Sequence, residues 1–90
     1  MKDIAWDAYQ LFIVIARQGG LTAASEHTGL SPATLGRRMV ELEQRLGREL
    51  FLRSQTGYRL TPDGGQLLEQ LSELEAASRK VEEWRWSASV

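Results

Sequence analysis

Ninety residues, 42% of them hydrophobic, suffice for one domain with a single core and exclude wholesale disorder. The absence of cysteine excludes a disulfide framework and a thiolate metal site; it allows an intracellular protein, and a cytoplasmic one is expected. The net charge of −1 would count against a polyanionic partner, but residues 31–60 hold six arginines (Arg37, Arg38, Arg45, Arg48, Arg53 and Arg59) against three acids, whereas residues 61–90 hold three cations against six acids.

The first helix is expected from about Asp3 to Gln18, with Ile4, Tyr9 or Ala8, Leu11, Phe12, Ile15 and Ala16 on its apolar face and Gly19-Gly20 at its end. Trp6 and Val14 widen that face, so the helix should touch more than one neighbour. Its apolar run, Leu11 to Ala16, is far short of the ~20 residues that span a bilayer. It also lies too far inside the chain for a secretory leader, and no membrane partner is expected. Leu21 to Thr28 reads as a short second helix in which Ala23 and Ala24 permit close approach, with Gly29 stopping it.

The stretch Ser31 to Gly47 carries both of its own boundaries. Ser31 caps the first free amides, Pro32 has no amide to leave unpaired, and Gly47 closes the last turn. Leu35, Met39, Leu42 and Leu46 recur on one face; Ala33, Arg37, Val40 and Gln44 occupy the other. Two helices joined by a short Gly-containing turn, the second starting at a Ser cap, form a helix-turn-helix pattern. Small residues and an arginine pair at the exposed N-terminal end suit insertion into a DNA groove. An ordinary amphipathic helix with solvated charges has the same letters.

After Gly47 the period shortens. Leu50 to Arg53 and Tyr58 to Leu60, around the polar turn Ser54-Gln55-Thr56-Gly57, predict a β-hairpin, which in this position is a wing carrying Arg53 and Arg59 towards phosphate or minor groove. Thr61-Pro62-Asp63 then starts a long helix running to about Ser87. Leu67, Leu71, Leu74, Ser78 and Val81 keep alternating 4–3 spacing, widened by Leu68, Ala77 and Trp84. Such a seam calls for a second copy of the chain; the alternative is that the helix lies across its own domain. Trp86 joins Trp84 near the end, and both are read as closing the seam.

His27 is the only histidine and has no nucleophile with a local signature beside it; Glu41 and Glu43, two apart on a helix, read as solvated charges. There is no Gly-rich phosphate loop. Neither an enzyme nor a cofactor or metal site is expected.

In order and spacing, Leu11-Phe12, Gly20-Leu21-Thr22-Ala23-Ala24-Ser25, Leu30-Ser31, Leu35, Leu42-Glu43, Leu46-Gly47, Leu50-Phe51, Arg53 and Leu60-Thr61-Pro62-Asp63-Gly64 resemble one family. It is the LysR-type bacterial transcriptional regulators, in their N-terminal winged helix-turn-helix with linker helix. The resemblance covers nearly the whole chain, thinning after about Leu74. It implies a mainly α fold with a small β-hairpin, divided into a DNA-binding unit over residues 1–60 and a linker helix over 61–90. It also implies a homodimer with antiparallel linker helices, paired through Leu67, Leu71, Leu74, Val81 and Trp84. A larger C-terminal domain that binds a small-molecule effector is implied as well; it is not part of these residues, so the chain reads as a fragment or truncated product. Carried over by position, the base readers are Ser31, Pro32, Ala33, Thr34, Gly36 and Arg37, with Arg53 in the wing. Independently of the resemblance, Arg37, Arg38, Arg48, Arg53 and Arg59 are expected to supply phosphate contacts. The family often carries Gln where Pro32 stands and Ser where Gly36 stands. Without those side chains, readout shifts to Thr34, Arg37 and Arg38, or to apolar contact with thymine methyls. The competing reading is a winged-helix module for protein–protein contact through its acidic long helix.

Overall fold

The computed structural model describes residues 4–87, with helices α1 (Trp6–Gln18), α2 (Leu21–Thr28) and α3 (Pro32–Leu46), strands β1 (Phe51–Ser54) and β2 (Gly57–Leu60), and helix α4 (Pro62–Ser87). The helix expected from Asp3 starts at Trp6: Ala5 is extended, with no side-chain cap, and Asp3 lies outside the described residues.

α1, α2 and α3 form a three-helix body whose core is closed by the hairpin and the first half of α4. Phe12, Ile15, Leu35 and Met39 are fully buried, each contributing roughly 1.5–3 kcal/mol by leaving water. Ile13, absent from the expected stripe, is buried too, because α1 touches α2, α3, β2 and α4 and so needs apolar side chains around more than one face. Ala24 lets α2 approach closely. An aromatic chain ties the hairpin to this core: Phe12 meets Phe51 with ring centroids 5.3 Å apart, and Phe51 meets Tyr58 at 5.2 Å.

The α3 boundaries are those the letters call for. Ser31 Oγ accepts the Thr34 N–H at 3.2 Å, and Gly47, at φ 69°, donates its N–H to the Glu43 carbonyl at 2.8 Å. The antiparallel hairpin pairs Phe51 with Leu60, Leu52 with Arg59, Arg53 with Tyr58 and Ser54 with Gly57. Gly57 has φ 137°, and any β-carbon there would stand 2.8 Å from the Gly19 carbonyl oxygen, the group that accepts the Tyr58 N–H at 3.2 Å. The wing is thus moored to the α1–α2 corner through backbone.

α4 starts on a two-way clasp. Thr61 Oγ1 accepts the Gly64 N–H at 2.9 Å and donates to the Glu49 carbonyl at 2.6 Å, while the Thr61 N–H goes to the Leu50 carbonyl at 3.0 Å. The first half of the helix packs on the body through Leu67, Leu68 and Leu71, and Arg17 pins it by donating to Glu75 at 2.7 Å and Ser72 at 3.2 Å. Residues 77–87 are exposed throughout.

This division corrects the expected seam. Leu71 is only 6% exposed and belongs to the domain's own core, and Leu67 is half-buried beside it; Leu74, Val81 and Trp84 stand open. A 4–3 stripe is the same letter pattern whether it faces a partner or the parent domain, and here its first part faces the parent domain.

Candidate nucleic-acid interface

α3 follows α2 across the corner Gly29-Leu30-Ser31, and its outward face is left uncovered by every other element. Pro32, Ala33, Arg37, Val40 and Gln44 are exposed along it, whereas Leu35, Met39 and Leu42 face the core. Ser31 is exposed, but its hydroxyl is committed locally: the oxygen caps α3 and the proton goes to Thr34 Oγ1 at 2.9 Å. Thr34 is half-buried.

Two expected readers sit elsewhere. A β-carbon at Gly36 would lie 3.3 Å from Leu21 Cδ1 and 3.7 Å from the Tyr58 hydroxyl, so position 36 points inward, between α2 and the wing. Arg38 is half-buried and lines a recess with Ile4, Ala5, Asp7 and Ala8 at the start of α1, to one side of Arg37. Arg37 itself is solvent-exposed and makes a loose ion pair with Glu41 at 3.7 Å, a contact of small energetic weight.

The wing arginines lie on opposite faces of the hairpin. Directly paired residues share a face, and the face alternates along each strand. Arg53 and Tyr58 therefore face the same way as Phe51, inward; Leu52 and Arg59 face outward. Arg59 is exposed and makes no ion pair among the described residues, whereas Arg53 is held. Its Nη2 donates to Glu43 Oε1 at 2.6 Å and its Nη1 to Glu43 Oε2 at 3.3 Å, with the guanidinium 5.1 Å from the Tyr58 ring centre. Within this chain Arg37, Arg53 and Arg59 therefore do not share one face. The outward cations are Arg37 and Arg59, with Arg38 and Arg45 to the α1 side.

Glu43 departs from its expected place. It is not a solvated charge: its carboxylate accepts the backbone N–H groups of Leu50 (2.7 Å) and Phe51 (3.2 Å) as well as the Arg53 guanidinium, and its side chain is 11% exposed. Burial alone would push its carboxyl up, but the hydrogen bonds from Arg53, Leu50 and Phe51, with the Arg53 charge, outweigh that and hold it below its ordinary value. The same pairing raises the Arg53 guanidinium, against the opposing effect of its own burial. One signal was present in the sequence. An acid in the last turn of a helix opposes the helix dipole, so Glu43, four residues before the cap Gly47, needed a cationic or N–H partner.

A two-helix corner presenting an open second helix, a two-stranded wing behind it and a long closing helix together define a winged helix-turn-helix domain. Residues 6–65 match the model of the bacterial regulatory helix-turn-helix proteins of the lysR family, and the chain belongs to that family. A crystal structure of the CbnR DNA-binding domain in complex with DNA is similar with a TM-score of 0.80 and 32% identity, over 94% of this chain and 99% of that one. The HTH-type transcriptional regulator TfdS of Cupriavidus pinatubonensis is 40% identical over 58 residues, which are 64% of this chain and 20% of that protein. An HTH-type transcriptional repressor of Pseudomonas aeruginosa is 34% identical over 79 residues, 80% of this chain and 25% of the repressor. The chain spans about a quarter of the length of the curated relatives it matches.

Proposed function

We propose that this chain binds double-stranded DNA sequence-specifically as one half of a homodimer and so regulates bacterial transcription, acting in the cytoplasm and without enzymatic chemistry. The observation that carries this reading is the uncovered face of α3, framed by the outward Arg59 of the wing, in a fold similar to a DNA-bound domain. α3 enters a major groove with its N-terminal residues on base edges, and the wing lies on the backbone or in the minor groove. Arg38, Arg48 and Arg59 supply phosphate contacts, hence most of the affinity, while Arg37 reaches a base edge. Arg53 acts through Glu43, holding the wing at a fixed angle to α3. The open half of α4, with Leu74, Val81 and Trp84, pairs two copies and sets their reading helices about 34–36 Å apart. Response to a small-molecule effector belongs to the further C-terminal domain of the family.

Duplex binding should weaken steeply with salt. Arg59→Ala should make that dependence shallower by about one counterion while leaving sequence preference intact, and Arg37→Ala should lower affinity and relax the preference. A flat salt response removes the phosphate-led mechanism and favours a protein-binding module acting through α4.

The two ends of the α4 stripe separate in a second test. Leu71→Glu buries an unpaired charge in the domain's own core and should melt it, at about 3 kcal/mol or more. Val81→Glu, at a position 58% exposed, should leave the melting of the domain unchanged and shift sedimentation towards monomer. A folded Leu71→Glu dimer would show that the packing of α4 on the body is dispensable.

A further inference from the structure

Towards its N-terminal end the open face of α3 is poor in free hydrogen-bonding groups; Arg37 and, two turns further on, Gln44 are the polar side chains of that stripe. Ser31 has committed its oxygen to the Thr34 N–H and its proton to Thr34 Oγ1. Position 36 faces inward and carries no side chain. What faces outward near the start of the helix is the pyrrolidine ring of Pro32, the methyl of Ala33 and, further along the same stripe, the isopropyl group of Val40, which is 43% exposed. Ala33, Arg37 and Val40 fall at i, i+4 and i+7, so one stripe holds two apolar groups with a guanidinium between them.

Pressing such a stripe onto base edges removes water from them. Adenine, guanine and cytosine present ring nitrogens, carbonyl oxygens and amino groups in the major groove, and covering these with alkyl groups leaves desolvated donors and acceptors without partners. Thymine alone presents a 5-methyl group, which gains from leaving water. Resting on the duplex-binding reading above, we infer that this chain selects its half-site chiefly by apolar contact between Pro32, Ala33 and Val40 and the 5-methyl groups of thymines, with Arg37 supplying a polar contact to a base between them. The protein chemistry on offer reads methyls better than it reads hydrogen-bond patterns.

The test uses duplexes selected by this chain from random sequence and remade with deoxyuridine in place of thymidine, one position at a time. Uracil keeps O4 and the pairing edge and loses only the methyl. Affinity should fall about fourfold at each methyl-read position, the transfer free energy of one methyl group expressed as a ratio of dissociation constants. Ala33→Ser and Val40→Thr, both at exposed positions, should bind thymine and uracil duplexes more nearly alike. Equal binding of all the uracil duplexes overturns the methyl inference and leaves DNA binding standing, whatever becomes of the variants. Failure to retain any duplex in the selection removes the reading beneath it.

Discussion

Gly64→Ala should strongly destabilise the domain, and Gly65→Ala, one residue on, should stabilise it. Both glycines lie in the first turn of α4, where the intrinsic preference for alanine over glycine is about 1 kcal/mol. At Gly65 nothing stands within 4 Å of the place a β-carbon would take, so a good part of that preference should appear as added stability. At Gly64 the β-carbon would collide with the carbonyl oxygen of Leu50, with Leu60 Cδ2 only 3.0 Å away. The Leu50 carbonyl cannot step aside, because it accepts the Thr61 N–H at 3.0 Å and Leu50 belongs to the buried core. Overpacking against flexible side chains costs about 1–3 kcal/mol; against fixed backbone the upper figure is the starting point. Urea unfolding of the two variants, followed by far-UV circular dichroism, should move their midpoints in opposite directions. Equal shifts would mean that α4 starts with a looser grip on the wing than the clasp at Thr61 indicates.

The second large effect is expected at Glu43. Glu43→Ala removes a carboxylate that receives two backbone N–H groups and a guanidinium, leaving the Leu50 and Phe51 N–H groups and Arg53 without it. Breaking such a partly buried network by deleting one partner costs about 3 kcal/mol. Glu43→Gln, of nearly the same shape, should keep part of the hydrogen bonding and lose the charge. The pH dependence follows from the lowered carboxyl. Between the lowered folded value and the ordinary value of 4.5 the unfolded chain binds the extra proton, so stability rises with pH there. The contribution of Glu43 is complete above the ordinary range and fades as pH falls through the folded value. The stability gap between the native chain and Glu43→Gln should therefore be widest near neutrality and should narrow in acid. A gap that does not change with pH would show that hydrogen-bonding shape, and not charge, holds the wing.

What could be read from the letters and what could not divides by distance along the chain. Ser31, Pro32 and Gly47 name the ends of α3 because capping is settled within four residues, and Thr61-Pro62-Asp63 does the same for α4. The hairpin was legible from its turn and its short apolar runs. For Glu43 the need of a partner was legible but the partners were not, since they lie seven to ten residues on, beyond a turn whose direction no local pattern gives. Arg53 was legible as a cation but not as an inward one: the face it takes depends on the register, and a shift of one residue would exchange it with Arg59. Leu71 and Val81 share one repeat yet meet different surroundings, because α4 packs on the body through Leu67, Leu68 and Leu71 and leaves it just past the Arg17–Glu75 pair, whose partners are 58 residues apart in sequence.

That pin between Arg17 and Glu75 also acts as a fulcrum. Residues 77–87 extend beyond it as a stiff arm of roughly 16 Å at 1.5 Å per residue. A tilt of about 10° at the fulcrum would carry the tip of that arm roughly 3 Å sideways. In the proposed dimer the two arms meet, so angular play at one surface ion pair becomes translational play between two reading helices. The tolerance of the assembly for unequal half-site spacing is then a mechanical property of the place where α4 leaves the body, remote from every residue that faces a base.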